Sequence, residues 1–245
     1  MSKAPSVAEL SKSIYASEKT LLTEGLKTSK AADHVAHVVQ GFLQRVSERF
    51  DANCATHGIK LACTAGCAYC CHTRVEVLPH EALFIARYIR FTRSEAKQQQ
   101  LIEHLQSRAE QAAGLSREEY FRARIPCAFL VDSRCSIYEA RPTLCRTFHS
   151  MDVEPCRSGF EDPAGRARPV EQVTGLAETS KAAAHASRDT FKKARLDERP
   201  YELHQVVLTF LKDPDAERHW RQGKRMGTPV PEWRPGVDAS DEEKK

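Results

Sequence analysis

Apolar positions recur at steps of three, four and seven between Val35 and Phe50: Val35, Val39, Phe42, Leu43, Val46 and Phe50. That spacing lines one face of a helix from about Ser29 to the mid-fifties. Val7, Leu10, Ile14, Leu21 and Leu22 give a weaker helical pattern over Ser6 to Thr28. Val75 and Val77 alternate with polar residues as a short extended segment, after which Pro79 opens a helix striped by Leu83, Phe84, Tyr88 and Ile89. Ser94 caps another helix, which carries Leu101, Ile102 and Leu105 inward and ends at Gly114. Strand-like pieces occur only at Ala128 to Val131 and around Ile137, on either side of a turn at Asp132-Ser133-Arg134. The pattern turns helical again over Thr179 to Ala194 and Tyr201 to Leu211. From Pro214 onward, prolines and mixed charge with little periodicity read as tail or loop, although Trp220 and Trp233 both lie there.

These elements predict a mainly α fold, with helices around an irregular cysteine-lined site and one short β-hairpin. The expected organisation is N-terminal helices over 1–58, a cysteine-bearing domain over 59–160, C-terminal helices over 161–213 and a tail over 214–245. A chain of 245 residues is long enough to bury a core without disulfides or metal, so its nine cysteines require another explanation. Met1 to Leu10 has no apolar leader, and no run of about 18 apolar residues occurs. The expectation is a cytoplasmic protein without membrane contact, in which thiols stay reduced and clustered cysteines read first as metal ligands. The formal charge of +4, without a basic arm or stripe, argues against nucleic acid as a partner and leaves a protein partner open.

Four cysteines, Cys63, Cys67, Cys70 and Cys71, fall within nine residues, around Gly66. Such short loops let sulfurs converge on one metal centre, and glycine permits the tight backbone they need. A second block supplies Cys127, Cys135, Cys145 and Cys156. The adjacent Cys70 and Cys71 cannot comfortably serve one mononuclear ion, so the count fits one polynuclear site or two four-thiolate sites. Either would carry negative charge for nearby cations to offset, and Arg74, Arg134, Arg141, Arg146 and Arg157 lie close in sequence. Cys54 shares the apolar face of the second helix and reads as a core residue. His72, His149, Glu76 and Glu81 are weaker candidates as ligands or orienting groups, and Asp33, His34 and His37 read as a solvated flank. Cys67-x-x-Cys70 would also suit a redox pair, but no thioredoxin-like βαβ pattern surrounds it.

The run Cys63 to Cys71, followed by Pro126-Cys127-Ala128-Phe129-Leu130 and by Cys135-Ser136-Ile137-Tyr138-Glu139-Ala140-Arg141-Pro142-Thr143-Leu144-Cys145-Arg146, resembles the YkgJ family of cysteine-cluster proteins. Their domain is described as zinc- or iron-chelating. The resemblance covers about residues 60 to 157 and implies Cys63, Cys67, Cys70, Cys71, Cys127, Cys135 and Cys145 as ligands, with Cys156 as an eighth. It extends to bacterial enzymes that methylate flagellin lysines. Cys63-x-x-x-Cys67-x-Tyr69-Cys70 also fits the radical S-adenosylmethionine signature, but the repeated βα units of that barrel are missing from the pattern. Three readings follow: an iron-sulfur protein holding its centre through eight thiolates, a zinc-binding structural or interaction module, and an iron-sulfur-dependent methyl-transfer or radical enzyme. The dense nest plus four dispersed thiols favours iron over zinc, whose ribbons present two separate short-spaced pairs.

Overall fold

The computed structural model describes residues 5–28, 33–163 and 169–230. It is 64% helical, with ten α-helices among the described residues. They are α1 (Val7–Lys27), α2 (His34–Thr56), α3 (Pro79–Thr92), α4 (Glu95–Ala112), α5 (Arg117–Ala123), α6 (Thr143–Thr147), α7 (Glu154–Glu161), α8 (Thr174–Lys193), α9 (Leu203–Lys212) and α10 (Ala216–Arg221). Residues 29–32, where the second helix was expected to begin, lie outside the described residues.

Local chemistry sets the helix starts. At α1, Glu9 Oε2 accepts from the Ser6 N–H at 2.7 Å while Ser6 Oγ accepts from the Glu9 N–H at 3.3 Å. Ser116 and Glu119 repeat this reciprocal cap at α5, a helix the apolar pattern does not announce. Two minimal antiparallel ladders complete the regular structure. In the expected hairpin, β2 (Leu130–Val131) pairs with β3 (Arg134–Cys135), and Asp132 and Ser133 both adopt positive φ, at 49° and 58°, as a tight two-residue hairpin turn requires. The other joins β1 (Glu76–Val77) to β4 (Tyr201–Glu202), in the register Glu76 with Glu202 and Val77 with Tyr201. The extended segment at Val75 to Val77 thus finds its partner at the start of the last large helix, a long-range pairing that period alone could not supply.

One continuous buried cluster runs from Leu22 through Val39, Phe42 and Leu43 of α2, Leu83, Ile85 and Ile89 of α3, Leu105 of α4 and Phe191 of α8 to Val206, Val207 and Phe210 of α9. Helix α1 lies along α8, and α9 is flanked by α3 and α4. Of the segment expected as tail, residues 214–230 pack onto this core. Trp220 is 0% exposed, sits 5.8 Å from Phe191 ring to ring, and donates its indole N–H to the Asp197 carbonyl at 3.0 Å. The Asp197 carboxylate receives the Tyr201 hydroxyl and the Met226 N–H at 3.2 Å, tying the segment at Met226 down. Trp233 falls outside the described residues. Cys54 corrects another expectation: it is half-buried and does not belong to the core cluster, in the last turns of α2, where Asp51 and Ala52 are exposed.

Candidate metal centre

The first cysteine block is an irregular loop folded by its own backbone. The Cys67 N–H reaches the Thr64 carbonyl at 3.0 Å across a turn in which Gly66 has φ +94°, and the Cys71 N–H reaches the Ala68 carbonyl at 3.0 Å within the 3₁₀ turn Tyr69–His72. The two blocks join through main chain. The Cys127 N–H donates to the Cys71 carbonyl at 2.8 Å, and the Ala62 N–H donates to the Ser150 carbonyl at 2.9 Å.

These links set the two cysteine blocks side by side. Cys63, Cys67 and Cys156 form one lobe with Cys70: negative charge on Cys67 or Cys70 opposes ionisation of Cys63, and charge on Cys63, Cys67 or Cys70 opposes ionisation of Cys156. Cys127, Cys135 and Cys145 form the other lobe, and Cys70 opposes ionisation of both Cys127 and Cys145. Cys70 therefore borders both lobes, and a hydrogen bond to the neighbouring Cys71 thiol is the largest cause holding it protonated. Cys54 belongs to neither lobe; burial and the Asp51 carboxylate are what raise its pKa.

The lobes differ in access. Cys63 is exposed and Cys156 half-buried, whereas the Cys145 sulfur is enclosed by protein even though its residue as a whole is only partly covered. Burial is the leading cause that pushes Cys127 up to about 11 and Cys145 well above the ordinary thiol value. Uncompensated burial makes a thiolate costly, so donors that face sulfur matter. Backbone N–H groups of Ser150, Phe129 and Ile137 lower the pKa values of Cys63, Cys127 and Cys135, respectively. The Ser150 hydroxyl acts likewise on Cys156, while also meeting the Asp152 carbonyl. Ser150 is 1% exposed, and nothing in its sequence context marks it as part of the site.

Among the five arginines singled out by sequence, Arg141 faces the sulfurs. Its charge favours ionisation of Cys70 and Cys135, its guanidinium stacks 3.7 Å from the Tyr138 ring centroid, and its buried Nε has no hydrogen-bond partner among the described residues. An orphaned N–H of this kind suits a negatively charged sulfur centre. Arg146 is committed elsewhere, to the Arg141 and Glu139 carbonyls and to Ser47 Oγ at 2.8 Å. Arg157 pairs with Glu154 at 2.6 Å and Arg74 binds the Leu115 carbonyl at 3.0 Å. Arg134 is exposed on β3.

Glu81 and His204 hold cysteine-bearing segments from behind. Glu81 Oε1 accepts from the Thr143 N–H at 2.8 Å, at the start of α6, and its Oε2 accepts from Leu78 at 3.0 Å. Buried His204 Nε2 accepts from the Ala128 N–H at 3.1 Å, while its Nδ1 lies 2.8 Å from Glu202 Oε1. Sequence reasoning missed this Glu202-His204 pair because it comes from the end of β4 and the start of α9, more than seventy residues beyond Cys127. His149 uses both ring nitrogens structurally: it bridges the Thr147 carbonyl at 2.8 Å and the Val173 N–H at 2.9 Å, which leaves no lone pair for a metal. His72 binds the Ala68 carbonyl at 3.1 Å through Nδ1. Glu76 pairs with Arg117 at 2.6 Å, and Asp33 and His37 stand exposed 3.8 Å apart.

Among the described residues, no three His, Cys, Asp or Glu side chains already stand in metal-coordinating geometry. The fit to a metal rests on the donor set: eight soft sulfur donors, amide and hydroxyl donors facing them, and an unpartnered guanidinium N–H. The thiols could supply four-sulfur environments on both sides of Cys70 and Cys71.

Residues 62–169 match the sequence model of the CxxCxxCC family, described as "Putative zinc- or iron-chelating domain". This is the model of the YkgJ-type cysteine-cluster family, and it spans both cysteine blocks of the chain. No curated protein and no solved structure matches the chain.

Proposed function

We infer that this cysteine-cluster domain holds an iron-sulfur centre through Cys63, Cys67, Cys70, Cys71, Cys127, Cys135, Cys145 and Cys156, and that the protein acts in electron transfer, sensing or assembly through it. The supporting observation is the division of the eight thiols into two lobes that meet at Cys70 and Cys71. A lone tetrahedral zinc ion takes four ligands and would leave the other thiols stranded at a cost in burial. Bridged iron and sulfide can extend across both lobes, or two clusters can sit side by side. Arg141 and the amide donors at Cys63, Cys127 and Cys135 would then offset the centre's charge and tune its potential.

Anaerobic purification of the full chain tests this reading by measuring iron, zinc and acid-labile sulfide against protein. A coloured protein with iron and sulfide in comparable amounts is expected. Colourless protein with stoichiometric zinc and no sulfide refutes the iron-sulfur reading and leaves a zinc-stabilised module.

A further inference from the structure

A cavity of about 180 Å³ opens beside the more accessible lobe. Cys70 and Cys156 both line it, and its walls are largely aromatic: Tyr69, Phe121, Phe148 and Phe160. Four separate segments contribute those rings, namely the 3₁₀ turn, α5, the loop after α6, and α7. Phe160 is the hub, with His72 at 4.7 Å and Tyr69 at 5.7 Å between ring centroids. The volume is of the size that accepts a single aromatic ring, since an engineered apolar cavity of roughly 150 Å³ binds benzene.

Arg124 decides the charge of the occupant. It ends α5 in the left-handed region, at φ 50° and ψ 41°, a conformation rare for a residue with a side chain. Its guanidinium lies 5.5 Å from the Phe160 centroid and donates one N–H to the Glu161 carbonyl at 2.9 Å. Its other N–H groups meet no acceptor among the described residues. A cation brought into the cavity would compete with Arg124 for the Phe160 face and be repelled by it. An anion would gain a charge-assisted hydrogen bond in a partly desolvated setting.

The geometry points to this cavity as the binding site for a small aromatic carboxylate, its ring among Phe121, Phe148 and Phe160, its carboxylate on Arg124, and its edge against the Cys70 and Cys156 sulfurs. Ligand binding itself needs only the cavity, while its purpose, presenting the ligand to the open side of the centre, rests on the metal reading above. An open lobe next to a cavity and a closed lobe behind it match the distinction between a site that meets ligand and one that only supports structure.

Fluorine NMR relaxation of 4-fluorobenzoate and 4-fluorobenzylamine with the as-purified full chain tests the assignment, with metal and sulfide measured on the same samples. The benzoate is expected to bind at least tenfold more tightly than the amine. Arg124→Gln should weaken benzoate at least fivefold with metal content unchanged, Arg124→Lys should retain most of the affinity, and Phe121→Ala should weaken benzoate without touching the charge. Equal binding of the two probes, tighter binding of the amine, or benzoate affinity indifferent to the folded variants overturns the proposal. The discrimination between probes is read on the unaltered protein, so it stands even where a variant fails to fold. Samples that lack iron and sulfide but keep this discrimination would sink the iron-sulfur reading and leave the cavity assignment intact.

Discussion

Replacing Glu81 by alanine should loosen the centre without removing any sulfur. The carboxylate is 5% exposed and holds two backbone donors, Thr143 at 2.8 Å and Leu78 at 3.0 Å. Hydrogen bonds to a charged acceptor contribute about 1.5–3 kcal/mol each. The Thr143 N–H is buried and would be left unpaired, which puts it toward the upper end. Leu78 opens a helix at a half-buried position and belongs toward the lower end. The loss is about 4–4.5 kcal/mol, on the order of a thousandfold in the folded-to-unfolded ratio. An opposing effect exists, because the Glu81 charge disfavours thiolate at Cys145. It is the last of the causes acting on that thiol, so the lost hydrogen bonds dominate. Helix α6 has five residues and cannot hold itself, so freeing its start frees Cys145. Urea unfolding followed by circular dichroism, paired with the rate of metal loss to a chelator, reads both effects. Glu81→Ala should shift the midpoint down and speed metal loss at least tenfold. Glu81→Gln keeps one acceptor oxygen and should cause about half the destabilisation. A wild-type midpoint for Glu81→Ala, or equal damage from Gln and Ala, would refute the reasoning.

Cys67→Ser should abolish or sharply reduce bound metal in elemental analysis, whereas Cys54→Ser, outside both lobes, should leave it at the wild-type level. Trp220→Ala should lower stability by about 3–5 kcal/mol in thermal or urea unfolding, since it empties a fully buried site and orphans the Asp197 carbonyl. His80, stacked on Phe191 and paired with Ser187 Oγ at 2.7 Å, has its pKa lowered by burial to about 3. Its folded value lies below the unfolded one, so the native state resists taking the proton; its contribution is present above pH 6.5 and is lost as pH falls toward 3, by up to about 1.4 kcal/mol per pH unit. His80→Gln should flatten that part of the acid limb in stability measured against pH, and an unchanged slope would refute the assignment.

Much of this was legible in the chain. The helical period placed α2, α3, α4 and α9, and turn residues placed the hairpin at Asp132 and Ser133. The cysteine spacing picked out the two blocks that the family model also spans and that main-chain bonds join at Cys71 and Cys127. Short helices escaped: α5, α6 and α7 have eight residues or fewer, too few turns for an apolar stripe to declare itself. Trp220 was concealed by its proline-rich surroundings, because docking depends on Asp197 and Phe191 rather than on periodicity. Ser150, His204 and the orphaned Arg141 Nε act through contacts made across long stretches of chain, and only the fold reveals such contacts.

The backbone bond between Cys127 and Cys71 also has a temporal side. During synthesis the first four thiols emerge long before Cys127, and His204, which pins the Ala128 amide, comes later still. At about 5–20 residues per second, roughly ten seconds pass between Cys71 and His204 leaving the ribosome. Through that interval the nest at Cys63 to Cys71 is a cluster of uncovered thiols, open to oxidation and to any thiophilic ion. The meeting of the two blocks is therefore a late event in the life of the chain, and the first stays open to solvent until the last helices close behind the second.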